Sequence, residues 1–551
     1  MGLWHRLTGV AGGGELRLYV DGKPAARRGF QGVAGRTPFP VNLGRQADLI
    51  GQDYPGYLSH AVLDAVRVWG RALTDGEIAH PESLAPGGAM IWLDFEEEAE
   101  AGSFFWLGIG ARSYGLVWPD RTPQPELWQL KKSPQPVRME AVDLGAGRIR
   151  ITNLHQFTNL SDLEGVWELQ RNGERIESGT LDVDLPPGES REVTIPFQHP
   201  SGPPDPEHLI SIGSGSARTF HSLMISFRLR HDVPWAEAGH EVAWEQFVLP
   251  EMGSVLTGLG PQFLFREEGD RIVVSGDDFV HTFSRRDGEL VSMQVQGREL
   301  LRRGPRFNVW RAPVANEFER AWGEPEMAEE WFAAGLDRLE RELVAVEVDE
   351  AEKSVRVRSR YRSPVAELSY EVLQIYRFRW DGSVQVMQRM TPAGSQPRWL
   401  PKVGMELELT RGLERLDWFG RGPFETYPDR KTGAKLGVWS STVDEQYSPY
   451  LIPQDYGNHT DVVWVRLTSA DGYGLEAAGS IPLNMAARRH TTDHLTRAEY
   501  PFQLVPSAGI VLSLDQAVTG VGCTAIKTLE AYRVLPREME FTVLLRPVTP
   551  R

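Results

Sequence analysis

"GLVWPDRTPQPELWQLKK", residues 115–132, carries prolines at 119, 123 and 125, a Pro-Asp-Arg turn and a Lys-Lys close. Such a run reads as the final segment of a large domain and the seam to the next one. It arrives barely a hundred residues into a chain of 551. The organisation of the whole chain therefore turns on which domain ends here and which begins.

Single hydrophobic cores rarely grow beyond about 250–300 residues, so 551 residues predict about three domains. With 41% hydrophobic and 24% charged residues the composition is that of a globular protein, and no apolar run approaches the ~18 residues a membrane span needs. Acidic residues outnumber basic ones 75 to 59, the Lys and Arg are scattered, and the net charge of −16 argues against a nucleic-acid partner. The single cysteine, Cys523, excludes an internal disulfide and a Cys-based zinc cluster, and reads as a small buried apolar residue. "MGLWHRLTGV" has no basic region followed by an apolar one, so no signal peptide is read. No compartment is assigned, with the cytoplasm favoured.

Short alternating or β-branched runs dominate: "ELRLYV", "AVRVWG", "RIRIT", "GVWELQ", "EVTIPF", "SVRVRSRY", "SVQVMQ", "VVWVRL" and "EFTVLLRP". Turn formers such as "DGK", "RNGER", "PPGES", "RRDGEL" and "WDGSV" separate them and predict hairpins. Helical periodicity is confined to 324–342 and, weakly, 75–80. Pro- and Gly-rich seams at 80–89, 131–137 and 249–262 divide this mostly β, multidomain chain into 1–95, a connector 96–136, a sandwich 137–250 and a long β-domain 251–551.

Several pieces resemble known families. "YVDGK" and "VRVWGRAL", with Thr74 as a good N-cap, resemble the second half of a laminin-G-like jelly roll. A jelly roll cut in two leaves unpaired edges, so 1–95 is expected to be partial. The opening stretch resembles the exit of the catalytic barrel in glycoside hydrolase family two, the β-galactosidase type. Residues 137–250, ending in "HDVPWAEAGHEVAWEQFVLP", are similar to the immunoglobulin-like domain that follows that barrel. "FNVWRAPVANE", "LPKVGMELEL", "WFGRGPFETYPDR", "YSPYLIPQDYGNHTDVVWVRL" and "RRHTTDHL" resemble the family's galactose-mutarotase-like supersandwich. The resemblance implies hydrolysis of terminal β-D-galactosides.

Retaining glycosidases need two carboxyl groups about 5–5.5 Å apart, and the family places both as glutamates on a (β/α)8 barrel of about 250 residues. The residues before Gly115 leave no room for one, so the barrel is expected to be largely absent and no catalytic residue is assigned on this chain. Asn316-Glu317 repeats the dipeptide of the family's acid/base glutamate but follows "VWRAP", so Glu317 is expected to be structural, with Ala315 where an Asp is common.

The resemblance points to a set of substrate-binding candidates. Tyr114 stands where the family has an Asn that helps hold sodium beside the sugar; it lacks the amide ligand and either offers a stacking face or packs at the barrel exit. Ile526 stands where better-known members carry a platform Trp; an aliphatic side chain lacks that flat face, so a lost or altered sugar contact is expected there. Arg421, Glu425, Tyr427, Asp429 and Arg430 crowd one loop, either ringing a sugar or pinning a turn as an Arg-carboxylate network. His459 is a further candidate. His459 and Asp461, with His490, Asp493 and His494, would ligate a metal only if the fold gathered them, and hydrogen-bonded His is the preferred reading. No cofactor is visible; magnesium or sodium is implied by the resemblance alone.

The expected function is that of the C-terminal portion of a retaining β-galactosidase, inactive alone, with a β-galactoside as ligand, no nucleic acid or membrane partner, and a homo-oligomer or a barrel-bearing partner chain. The alternatives are a non-catalytic carbohydrate-binding subunit and, from fold alone, a mutarotase.

Overall fold

A computed structural model of the chain describes residues 5–30, 65–85, 88–93, 116–118, 120–198, 210–212, 216–249, 253–255, 263–318, 327–523 and 527–550. The chain forms two compact units, Met1–Arg112 and Ser113–Arg551.

In the first unit the "DGK" signal makes its hairpin: Asp21 and Gly22 take φ of 51° and 76°, the left-handed pair that a two-residue turn needs. It joins Glu15–Val20 to Lys23–Gly29, and Leu7–Gly12 completes a three-stranded sheet. Thr74 caps the helix Asp75–Ala79, its hydroxyl accepting from Glu77 N–H while the Glu77 carboxylate accepts from Thr74 N–H. Val10, Tyr19, Leu73 and Ile78 bury together among the described residues, a small core for a sandwich layer.

The second unit begins in the opening stretch. Residues 125–132 form a helix, Pro125–Lys132, which period-based reading missed because prolines at 119 and 123 precede it and a third opens it. Pro at a helix's first position costs no hydrogen bond, and Lys131 and Lys132 suit its last turn. Next comes a sandwich. One sheet pairs Val137–Asp143, Arg148–Asn153 and Ser190–Thr194, and the other runs in the order Glu241–Val248, His221–Leu229, Leu163–Arg171, Glu174–Leu181. Strict alternation in "LEGVWELQR" turns Leu163, Trp167 and Leu169 inward, where they meet Val137, Ile149, Ile151, Ile225 and Phe227. Asn172 and Gly173, at φ 50° and 84°, form the predicted turn between Leu163–Arg171 and Glu174–Leu181.

The last domain packs a five-stranded sheet, from Leu264–Glu268 to Arg298–Glu299, against a twelve-stranded one whose main path runs from Leu301–Asn308 to Glu340–Asp349 with Met539–Val548 in its middle. Phe283, Leu290, Val386, Met405, Trp418 and Leu545 are among the side chains of the core. The helical reading of 324–342 is correct only in its first part. A helix occupies Met327–Ala333, Gly335 at φ 66° ends it, and Glu340–Asp349 is a strand because "ERELVAVEVD" alternates with period two. Cys523, expected to be buried, is exposed.

The sandwich and the last domain meet through paired side-chain and main-chain groups. Gln246 Nε2 donates to the Leu436 carbonyl and Leu436 N–H donates to Gln246 Oε1, both at 2.8 Å, which imitates one rung of a sheet. Phe220 packs edge-on against Phe419 at 5.6 Å, and Lys435 pairs with Glu241 at 2.8 Å.

Candidate functional site

The strand Arg415–Gly422 delivers the chain into the "RGPFETYPDR" loop, and Lys435–Thr442 takes it away. Every charged group in this loop is engaged. Arg421 Nε donates to Asp461 Oδ2 at 2.6 Å, and its Nη1 donates to the carbonyls of Ala434 and Lys431 at 2.8 and 3.3 Å. Lys431 Nζ holds the other Asp461 oxygen at 2.9 Å. Burial acts to raise the Asp461 carboxyl, but Lys431 and Arg421 together hold it below the usual carboxylate range.

Glu425 is 6% exposed. It accepts from Arg430 Nη2 at 2.6 Å, Tyr450 OH at 2.5 Å, Gly457 N–H at 2.7 Å and Ser448 Oγ at 3.2 Å. Arg430 also pairs with Glu126 on the helix Pro125–Lys132, so one guanidinium ties the opening stretch to a loop 304 residues away. Tyr427, 1% exposed, donates to Asp455 Oδ2 at 2.9 Å, and Asp455 is paired in turn with Arg488. Asp429 accepts from the N–H groups of Val521 and Gly522 at 3.0 and 2.7 Å, which moors the segment that leads to Ile526.

His459 is 1% exposed, with its ring 4.3 Å from that of Trp418 and its nitrogens 2.6 Å from Gln446 Oε1 and 3.2 Å from the Arg421 carbonyl. His490 contacts Tyr456 OH at 2.9 Å, while His494 and Asp493 lie on the short helix Thr492–Arg497, where Asp493 pairs with Arg497. Among the described residues no three His, Cys, Asp or Glu side chains are placed to hold a metal ion. Glu317 lies inside the fold with both oxygens on the Arg311 guanidinium, at 2.6 and 2.9 Å, and accepts Val314 N–H at 2.8 Å. Arg311 Nη2 also donates to the Thr519 carbonyl at 3.2 Å. Tyr114 and Ile526 lie outside the described residues.

The arrangement thus gathers the turn Ala315–Glu317, the loop 423–434, the segment 447–459 and the chain at 519–522 around a buried ionic network. Burial pushes the Glu425 carboxyl up to about 7, against the opposing hydrogen bonds of Tyr450 and Gly457. A carboxyl raised in the folded state adds stability that is complete below its unfolded value of 4.5 and is lost as pH climbs to about 7. His459, pushed down to about 4 by burial, acts in the opposite sense over part of that window. The expected result is that the stability difference between the native chain and Glu425→Gln, from urea midpoints, falls steadily across this range. A difference independent of pH would contradict it.

The family models match in the order this architecture requires. One described as Beta-galactosidase, domain 4 matches residues 149–250, and one described as Beta galactosidase small chain matches 275–545. Residues 149–250 and 275–545 carry domains of the β-galactosidase family. A third model, of the Concanavalin A-like lectin/glucanases superfamily, matches 1–79. The β-galactosidase of Priestia megaterium is 30% identical over 411 residues, 74% of this chain and 38% of the relative. That of Vibrio cholerae is 30% identical over 420 residues, and that of Aeromonas hydrophila is 26% identical over 89% of this chain and 46% of the relative. The chain thus spans less than half the length of these β-galactosidases. Reading the sequence missed the partners that organise the loop, Glu126, Tyr450 and Asp455 among them. Each is separated from it along the chain, and the motifs that hold them do not say which side chain they meet.

Proposed function

We propose that this chain supplies the C-terminal domains of a β-galactosidase that hydrolyses terminal β-D-galactosides with retention, that the two catalytic glutamates lie outside it, and that alone it is inactive. The observation that carries the reading is the ordered pair of family matches at 149–250 and 275–545. The engagement of Glu317 and Glu425 by Arg311 and Arg430 supports it, since carboxylates held this way serve the fold rather than act as a free acid and nucleophile. Tyr114 and Ile526 are the proposed sugar contacts, while Arg421, Glu425, Tyr427, Asp429, Arg430 and His459 act by positioning. Any magnesium or sodium is inherited from the family resemblance, and no step is assigned to it.

The description of the 275–545 model as a small chain favours a second form of the same reading, in which a separate barrel-bearing chain completes the site. The purified chain is expected to leave a chromogenic β-galactoside unhydrolysed. Hydrolysis that survives Glu317→Gln would overturn the proposal. Material isolated from its source should run well above 61.8 kDa, with the barrel present in the same chain or a bound one.

A further inference from the structure

A groove of about 180 Å³ lies where the helix Pro125–Lys132, the strand Glu241–Val248 and the two ends of the 423–434 loop meet. Three tryptophans line it, Trp128, Trp244 and Trp439, with Phe424 beside them. They come from three separate elements and span more than three hundred residues of sequence. Trp128 stacks on Phe424 with centroids 5.8 Å apart and planes 17° from parallel, and it remains 39% exposed, so its ring is held flat rather than swinging freely. Gly422 and Gly433 bring the backbone close. A Cβ on Gly422 would sit 2.7 Å from the Trp439 ring, and one on Gly433 would sit 2.8 Å from the backbone of Gln129.

Lys131 at the exposed rim and Gln135 also line the groove, and its other two lysines are each neutralised by a carboxylate. Lys435 Nζ holds both oxygens of Glu241, at 2.8 and 2.9 Å, and Lys132 Nζ pairs with Glu245 at 3.0 Å. Both ammonium groups lie over the Trp244 ring, at 5.1 and 4.0 Å from its centroid. A paired Lys and Glu offer donors and acceptors side by side without demanding a charged ligand. An anion would have to displace Glu241 from Lys435, and a cation would have to displace Lys435 from Glu241. A flat apolar face next to neutralised donors and acceptors matches one class of ligand: a neutral sugar ring, with C–H groups on one face and hydroxyls around its edge.

We propose that this groove binds a neutral pyranose of an oligosaccharide, with Trp128 as the stacking platform and the Lys435–Glu241 pair on the ring hydroxyls. The groove adjoins the Glu425–Arg430 network but is lined by none of its charged side chains, and the reading of the chain as β-galactosidase domains enters only in the choice of lactose as probe.

The test is titration of the full chain with lactose and, separately, with cellobiose, monitored by tryptophan fluorescence and calorimetry. Saturable binding is expected, about tenfold weaker in Trp128→Ala, the scale of one lost aromatic contact, and partly restored in Trp128→Phe. Trp235→Ala, at an exposed tryptophan that does not line the groove, should bind as the native chain does. No saturable binding, or binding indifferent to both Trp128 variants, overturns the proposal. Because the readout is binding and not hydrolysis, its failure leaves the galactosidase reading standing, and activity of the chain alone would leave the groove standing.

Discussion

Arg311→Met is expected to destabilise the last domain by about 3–5 kcal/mol, the cost of removing one partner from a buried ion pair. Arg311 is 0% and Glu317 1% exposed, and the guanidinium takes both carboxylate oxygens as well as the Thr519 carbonyl. Without it, Glu317 is left in the interior with only Val314 N–H to oppose the burial that already pushes its carboxyl up. The penalty therefore has a sign in pH. Protonating Glu317 relieves it, so the variant's deficit should shrink as pH falls. Because the cost belongs to the unpaired charge, the double variant Arg311→Met, Glu317→Gln should recover a large part of the loss. Urea midpoints of native, single and double variants at several pH values check this. Additive losses in the double variant would mean that the pair contributes as two independent side chains.

Trp418→Ala should cost about as much, roughly 3–5 kcal/mol, for a different reason. Trp418 is fully buried in the core of the last domain, and the cavity left by an indole is too large for a two-sheet core to close. Its Nε1 donates to the Arg421 carbonyl at 3.1 Å, and its ring forms one wall around His459. The change should therefore loosen the loop network as well as the core. Trp418→Phe keeps most of the apolar volume but not the donor, and should lose less than half as much. Equal losses for the two variants would place the effect in the hydrogen bond instead of the packing.

Much of the fold was legible because its signals are local. Alternation in "LEGVWELQR" or "ERELVAVEVD" specifies which residues face inward within a few positions of one another. Asn172-Gly173 and Asp21-Gly22 announce turns because only certain residues tolerate positive φ. The helix Pro125–Lys132 was harder to read. Its eight residues are too few for period to speak, and its start is marked by a proline that also fits a loop.

The loop 421–430 was legible as a charged cluster but not as a network with a direction. Its own residues could equally ring a sugar or pin a turn. The choice depends on Glu126, Tyr450, Asp455 and Asp461, which the fold brings in from the helix Pro125–Lys132, the 447–459 segment and the strand His459–Thr468.

The sequence by itself determined that this is a mostly β, multidomain chain, where its hairpins turn, and which family its C-terminal domains resemble, since these depend on short-range pattern and on motifs kept in order. Only the tertiary structure decided that Tyr427, His459 and Glu425 are interior groups and that Trp128, Trp244 and Trp439 share one groove. Burial and convergence are properties of packing between segments hundreds of residues apart, and no local window of sequence records which distant side chain will arrive to cover a charge or to complete an aromatic wall.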